Sequence, residues 1–287
     1  MKLAGVVTLM MMLTVSASAQ MMGGGPQTGN GSQSNMMSTE LLAPGAGRGP
    51  GAGGSFWRTD LWIKSVAGSK VTLEFHVSDS ATDAATATAD VSVANGILYL
   101  PDVMKSTFNL DHAFGNIVLR SRAALSAQLR VYTSDGSGGY GAAFMAMPTS
   151  MAMRGSGGMM DDDDLYQLYV LGLQPQPRAR VNVMVSNSGS IPISGTVDIL
   201  DADGLAPNGA PVSLPFSIRA YSSHQFGNVL DGLSSRFGDG STMQIRVRLA
   251  NGSTGMVIVI ASVVDNITND TYTVMGSMMD SVRGMMP

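Results

Sequence analysis

The chain has 287 residues, 35 of them glycine and 13% of them charged, with a formal net charge of -4 and no cysteine. Cysteine's absence excludes disulfides, thiolate metal ligands and a cysteine nucleophile. Without any Lys/Arg cluster there is no electrostatic footprint for a nucleic-acid backbone, so nucleic acid is not an expected partner. The length allows about two domains of ordinary size.

Taken in chain order, Lys2, the apolar run Leu3 to Val15 and the small residues Ala17-Ser18-Ala19 predict a secretory signal peptide over 1–19, cleaved before Gln20. The run is short for a bilayer span, which needs about 20 apolar residues. Met256 to Val264, nine residues long, fits a buried strand better. No transmembrane segment is therefore expected after signal cleavage, and the protein is expected to be secreted or in the cell envelope, extracellular or periplasmic. Residues 20–38 are Gly, Gln, Ser and Asn with few large apolar side chains, too little apolar surface to offset ordering entropy. They read as a disordered leader.

A first module is expected over 39–149. Leu41-Leu42-Ala43-Pro44 opens it, and Gly45 to Gly54 reads as a Gly/Pro-rich loop. Phe56 to Ile63 then alternates strictly, with Trp57, Thr59, Leu61 and Ile63 on one face and Arg58, Asp60, Trp62 and Lys64 on the other, the period of a half-buried strand. Further strands are expected at Val71 to Val77, Ala89 to Val93 and Ile97 to Leu100, the last two joined by an Asn95-Gly96 turn. Asp102 reads as an N-cap for a short helical turn. Strands at Ile117 to Arg122, Leu125 to Thr133 and Ala142 to Met147 close the module.

Residues 150–164 read as a Met/Gly/Asp-rich linker, within an exposed, mobile stretch from Met145 to Asp164. A second module follows over 165–276 and a flexible tail over 277–287. The second module repeats the landmarks of the first. Asn228 stands 126 residues after Asp102, and at the same offset Leu119-Arg120-Ser121-Arg122 becomes Ile245-Arg246-Val247-Arg248. After the loop Asn251 to Gly255 the spacing becomes 132, as in Val131/Val263 and Tyr140/Tyr272. One six-residue loop insertion accounts for the change.

Short alternating strands with regular turn signals predict an all-β chain of two tandem immunoglobulin-like β-sandwich domains, with Trp57, Leu61, Leu73 and Phe75 in the first core and Val183, Val185, Val197 and Ile199 in the second. A closed barrel is the structural alternative. The segments Gly54 to Leu61, Asp102-Val103 and Ser262 to Asn266 resemble a group of uncharacterised secreted bacterial proteins. That resemblance covers about residues 39 to 276, implies tandem immunoglobulin-like modules and carries no catalytic or binding residues with it.

The literal G-x-G-x-x-G at Gly136 to Gly141 is flanked by strands rather than opening a helix, so it reads as a hairpin loop. Asp201-Ala202-Asp203-Gly204 lacks the later ligands of a calcium loop and reads as a turn. The run Asp161 to Asp164 reads as solvated linker. His76, placed on the outward face of its strand, His112 and His224 accompany no G-x-S-x-G or H-E-x-x-H motif, and Glu74 and Glu40 are the only glutamates. No catalytic residue is assigned.

Methionine is the unusual feature. Thioethers suit Cu(I), so Met151, Met153, Met159 and Met160 form a candidate copper site, against the reading that they are adaptable linker composition. Trp62, Tyr140 and Tyr272 are candidate contact surfaces. The expected function is that of an exported, non-enzymatic structural or adhesion-type binding protein whose partner is a protein or polysaccharide at the cell surface. The alternatives are a Met-rich copper-binding protein of the envelope and a glycan-active enzyme or lectin.

Overall fold

The computed structural model describes residues 37–51, 54–134, 139–154, 167–173, 179–201, 203–205, 212–230, 243–250, 253–265 and 271–278. The expected signal peptide, most of the leader and of the tail, and the Asp161 to Asp164 run lie outside them.

All of the paired strands are antiparallel, and one strand organises the first half. The elements there are β1 (Ser38–Pro50), β2 (Phe56–Ser65), β3 (Ser69–Val77), β4 (Ala87–Val93), β5 (Gly96–Leu100), α1 (Val103–Ser106), β6 (Ala113–Ser134), β7 (Gly139–Met145) and β8 (Met147–Pro148). Leu119 of β6 lies opposite Leu41 and Leu73, whereas Leu129 lies opposite Leu61 and Phe144. The 22-residue β6 therefore leaves one wall and joins the other, curling a single sheet into two facing walls, β4-β3-β6-β1-β8 and β5-β2-β6-β7. Two strands were expected here. The joining residues Ala123-Ala124 include no Gly or Pro, so nothing in them breaks the extended backbone.

After β9 (Met153–Arg154), the second half comprises β10 (Gln167–Leu173), β11 (Ala179–Asn187), β12 (Ile193–Leu200), β13 (Val212–Ile218), β14 (Ser223–Phe226), β15 (Met243–Leu249), β16 (Met256–Asp265), β17 (Thr271–Met275) and β18 (Ser277–Met278). Its sheets run β13-β12-β15-β10-β18 and β14-β11-β16-β17. This is the strand order of the two walls of the first half, with β15 and β16 standing where the two ends of β6 stood; only in the first half are the walls also joined by a β1–β2 pairing, at Gly49/Trp57 and Pro50/Phe56, among the described residues.

Each half has its own apolar core. Leu61, Leu73, Phe75, Val183, Val185, Val197 and Ile199 are buried as expected, and Met104 of α1 sits in the first core. Trp57 is only half-buried: its parity is that of Leu61, but it lies beyond the last core layer. Both halves also share one backbone device. Asp102 and Asn228 each adopt φ 42°, and their N–H groups donate at 2.9 Å to Asp60 and Asn182, side chains on β2 and β11 respectively. Asp102 precedes α1 as expected, yet its side chain makes no cap bond; it is drawn to Arg48 instead.

The halves pack together within one compact unit, 35–287. Leu42, Val118, Ala152 and Ile258 form a third apolar cluster across the junction. Buried Asn116 donates to the carbonyls of Tyr221 and Ser222 at 2.9 and 3.0 Å and accepts from Ser186 at 3.1 Å. The Asp79 N–H donates to the Ser223 carbonyl, and the Ala220 N–H to Asp83.

Within the stretch expected to be exposed from Met145 onward, Ala146, Pro148, Thr149 and Ala152 are buried, whereas Met145, Ser150 and Met151 are exposed. Its short strands find edges to complete, since β8 pairs with β1 and β9 with β16. Backbone groups that would otherwise be buried without partners are satisfied in this way.

Candidate functional site

A groove of about 380 Å³ runs between the halves. Its floor is the outer face of the β14-β11-β16-β17 sheet. Asn182, Ser262 and Thr273 lie in register across β11, β16 and β17, forming one row of uncharged hydrogen-bonding side chains. Met184 and Ile260 flank that row on one side and Val264 on the other, with Gln225 and Arg180 at its margins. The walls are aromatic: Trp57, Phe114 and Phe144 come from the open end of the first half.

Glycine in the first half makes those walls possible. Residues 45–50, expected as a loop, continue β1, because the Gly-rich backbone pairs with β6 and lies beneath two rings. A Cβ on Gly47 would collide with the Phe114 ring, and one on Gly51 with the Trp57 indole. Gly45, at φ +76°, brings the strand against the Met184 thioether.

The corresponding face of the first half is uncovered among the described residues. There Trp62 lies opposite Tyr99, and their rings stack at 4.9 Å with planes 20° apart. Asp60 lies opposite Arg130, which donates to it at 3.1 Å; Tyr99 donates to the same carboxylate at 3.1 Å. Arg130 also packs over the Tyr132 ring at 4.4 Å. Desolvation, followed by the bond to Asp60, raises the Tyr99 phenol above its ordinary 10.0, so Tyr99 remains a donor at neutral pH.

The internal repeat separates what the fold needs from what this face adds. Asn182 holds the Asn228 N–H as Asp60 holds that of Asp102, so a neutral amide suffices for the backbone contact. The charge of Asp60, 1% exposed, instead fixes Arg130 and Tyr99 beside Trp62.

Other side chains that could transfer protons are held in structural contacts. His76, expected on the outward face of its strand, is buried because Tyr221 of the second half packs on it at 5.3 Å. Burial lowers its pKa below the ordinary 6.5, with Arg120 acting in the same direction and Glu74 opposing. His224 pairs with Asp79, and His112 is exposed beside Phe56. Glu40 and Glu74 both bind Arg120. Asp198 is fully buried between Arg246, Arg248 and Ser213; burial pushes its pKa up, but these partners outweigh that and hold it below 3.8. Asp201 accepts from the N–H groups of Asp203 and Leu205, a turn rather than a metal loop.

The remaining candidates are scattered. Met151 is exposed in a 3-10 turn, Met153 lies in β9, and Met159 and Met160 are outside the described residues. Tyr140 lies in β7 opposite Thr133, and Tyr272, 46% exposed, lies in β17 opposite Val263. Neither strand carries Trp62, which is on β2.

The groove residues escaped sequence reading, although one signal was present. Met256 to Val264 is apolar at almost every position, which marks a strand covered on both faces.

No family model matches the chain, and no curated protein matches it. Among solved structures, the chain shows 10% identity to a "putative secreted protein" from Parabacteroides distasonis ATCC 8503, over 85% of this chain and 92% of that one, at a TM-score of 0.19. A likeness that distant carries no argument about fold or function.

Proposed function

We propose that this is an exported, non-enzymatic structural or binding protein of the cell surface, built from two tandem immunoglobulin-like β-sandwiches. The tandem reading is supported by the shared strand order and by the paired Asp60/Asp102 and Asn182/Asn228 contacts. Export is supported by the signal-like segment 1–19; no helix among the described residues is long and apolar enough to cross a membrane.

The observation that carries the binding reading is the contrast between two equivalent faces. In the second half this face is covered by the first half and forms the groove floor, whereas in the first half it presents Trp62, Tyr99, Tyr132 and Arg130. Trp, Tyr and Arg are the residue types that dominate binding energy at protein surfaces. Here Tyr99 and Arg130 are also held in place by Asp60, which limits the ordering cost of engaging a partner.

Co-sedimentation of the purified protein with insoluble cell-wall polysaccharides and envelope preparations tests this reading. Replacing Trp62 and Tyr99 together by Ala is expected to weaken retention about 10-fold or more. Undiminished retention by that variant would refute the assignment of this face. Soluble fragments released from the polymer, in a reaction lost on changing one side chain, would refute the non-enzymatic reading.

A further inference from the structure

We propose that the groove between the halves is a second binding site, separate from the Trp62 face, and that its ligand is a short neutral saccharide. The argument starts from the row Asn182, Ser262 and Thr273. Cross-strand neighbours stand about 5 Å apart, so three hydrogen-bonding side chains line up across the floor. The side-chain hydroxyls of Ser262 and Thr273 have no hydrogen-bond partner among the described residues. The Asn182 oxygen is committed to the Asn228 N–H, which leaves its amide NH₂ to donate into the groove.

The surroundings define the rest of the ligand. Met184 and Ile260 are apolar, and the Trp57 and Phe114 rings wall the opposite side. A ligand must therefore present hydroxyls along one edge and a C–H face to aromatic rings, the chemistry of a pyranose. The volume of about 380 Å³ is at the lower end of the range for ligand sites and suits one or two sugar rings. The row itself consists of hydroxyl and amide groups, and Arg180, which has an interaction of its own within the protein, stands at the margin. A neutral sugar satisfies such a row without burying an unpaired charge.

The sequence supplies a reporter, because Trp57 and Trp62 are the only two tryptophans. In a Trp62→Phe background, emission reports on Trp57 alone. Titration with cellobiose, maltose and N,N′-diacetylchitobiose, to about 10 mM, is expected to give a saturable change with at least one of them. Ser262→Ala and Thr273→Val should each weaken that binding about 3- to 10-fold, the effect of losing one hydrogen bond to a neutral partner.

No saturable change with any of the three, or an affinity unchanged from the Trp62→Phe parent in both variants, would overturn the proposal. A response to glucuronic acid but to none of the neutral sugars would overturn the ligand class. Saccharide binding that survives Ser262→Ala and Thr273→Val but is lost on Trp62→Ala with Tyr99→Ala would overturn the groove and leave the surface reading standing.

Discussion

Replacing Asn116 by Ala tests whether the junction that shapes the groove is held by the contacts described. Asn116 belongs to β6 of the first half, and all three of its side-chain bonds reach the second half, at 2.9, 3.0 and 3.1 Å. After truncation the Ser222 carbonyl keeps the Asn187 N–H as a donor, so it remains satisfied. The Tyr221 carbonyl and the fully buried Ser186 hydroxyl lose these partners. An unsatisfied buried group costs about 1–3 kcal/mol, and partial access of water near Tyr221 and rotation of the Ser186 hydroxyl lower the total, giving a loss of about 2–4 kcal/mol.

Urea unfolding followed by Trp57 and Trp62 fluorescence and by far-UV dichroism measures that loss. Because each half has its own core, weakening the junction should also separate one transition into two, with the probes ceasing to coincide. Ser186→Ala in the same background should cost much less than it does alone, since its partner is already gone. A loss for Asn116→Ala below about 0.5 kcal/mol with coincident probes, or strict additivity with Ser186→Ala, would refute the reasoning.

Two further outcomes follow from the same contacts. Asp60→Asn should change stability by no more than about 1 kcal/mol, because Asn182 already performs the backbone role and the half-exposed Arg130 can be solvated. Polymer retention should nevertheless fall several-fold as Arg130 and Tyr99 lose their anchor; a loss above about 3 kcal/mol would instead make the charge structural. The lowered pKa of His76 means that, below the ordinary 6.5, the unfolded chain binds a proton the folded one resists. Its contribution is therefore complete above pH 6.5 and declines as pH falls toward the depressed folded value. The melting temperature should drop more between pH 7.5 and 5.5 in the wild type than in His76→Gln, and equal drops would refute this.

Alternation of side chains along each strand determined much of this protein before any coordinates. Leu61, Leu73, Phe75, Val183 and Val197 are buried because a period of two places them on the face turned toward the facing strands. The spacing of Asp102 and Asn228 likewise marked a repeated turn, and both residues share the same left-handed φ. These features are local, and the chain carries them residue by residue.

What a second layer places against a face is not local, and only the tertiary structure decided it. Parity put His76 outward, as it did Trp62, yet the second half covers His76 and leaves Trp62 half-exposed. Trp57 carried core parity but ended at the open end, where the Gly47 and Gly51 backbone gives the neighbouring rings room. The row Asn182, Ser262 and Thr273 spans more than 90 residues of sequence and exists only through the register of three strands. Packing between separately encoded surfaces, rather than any motif along the chain, assembles the groove.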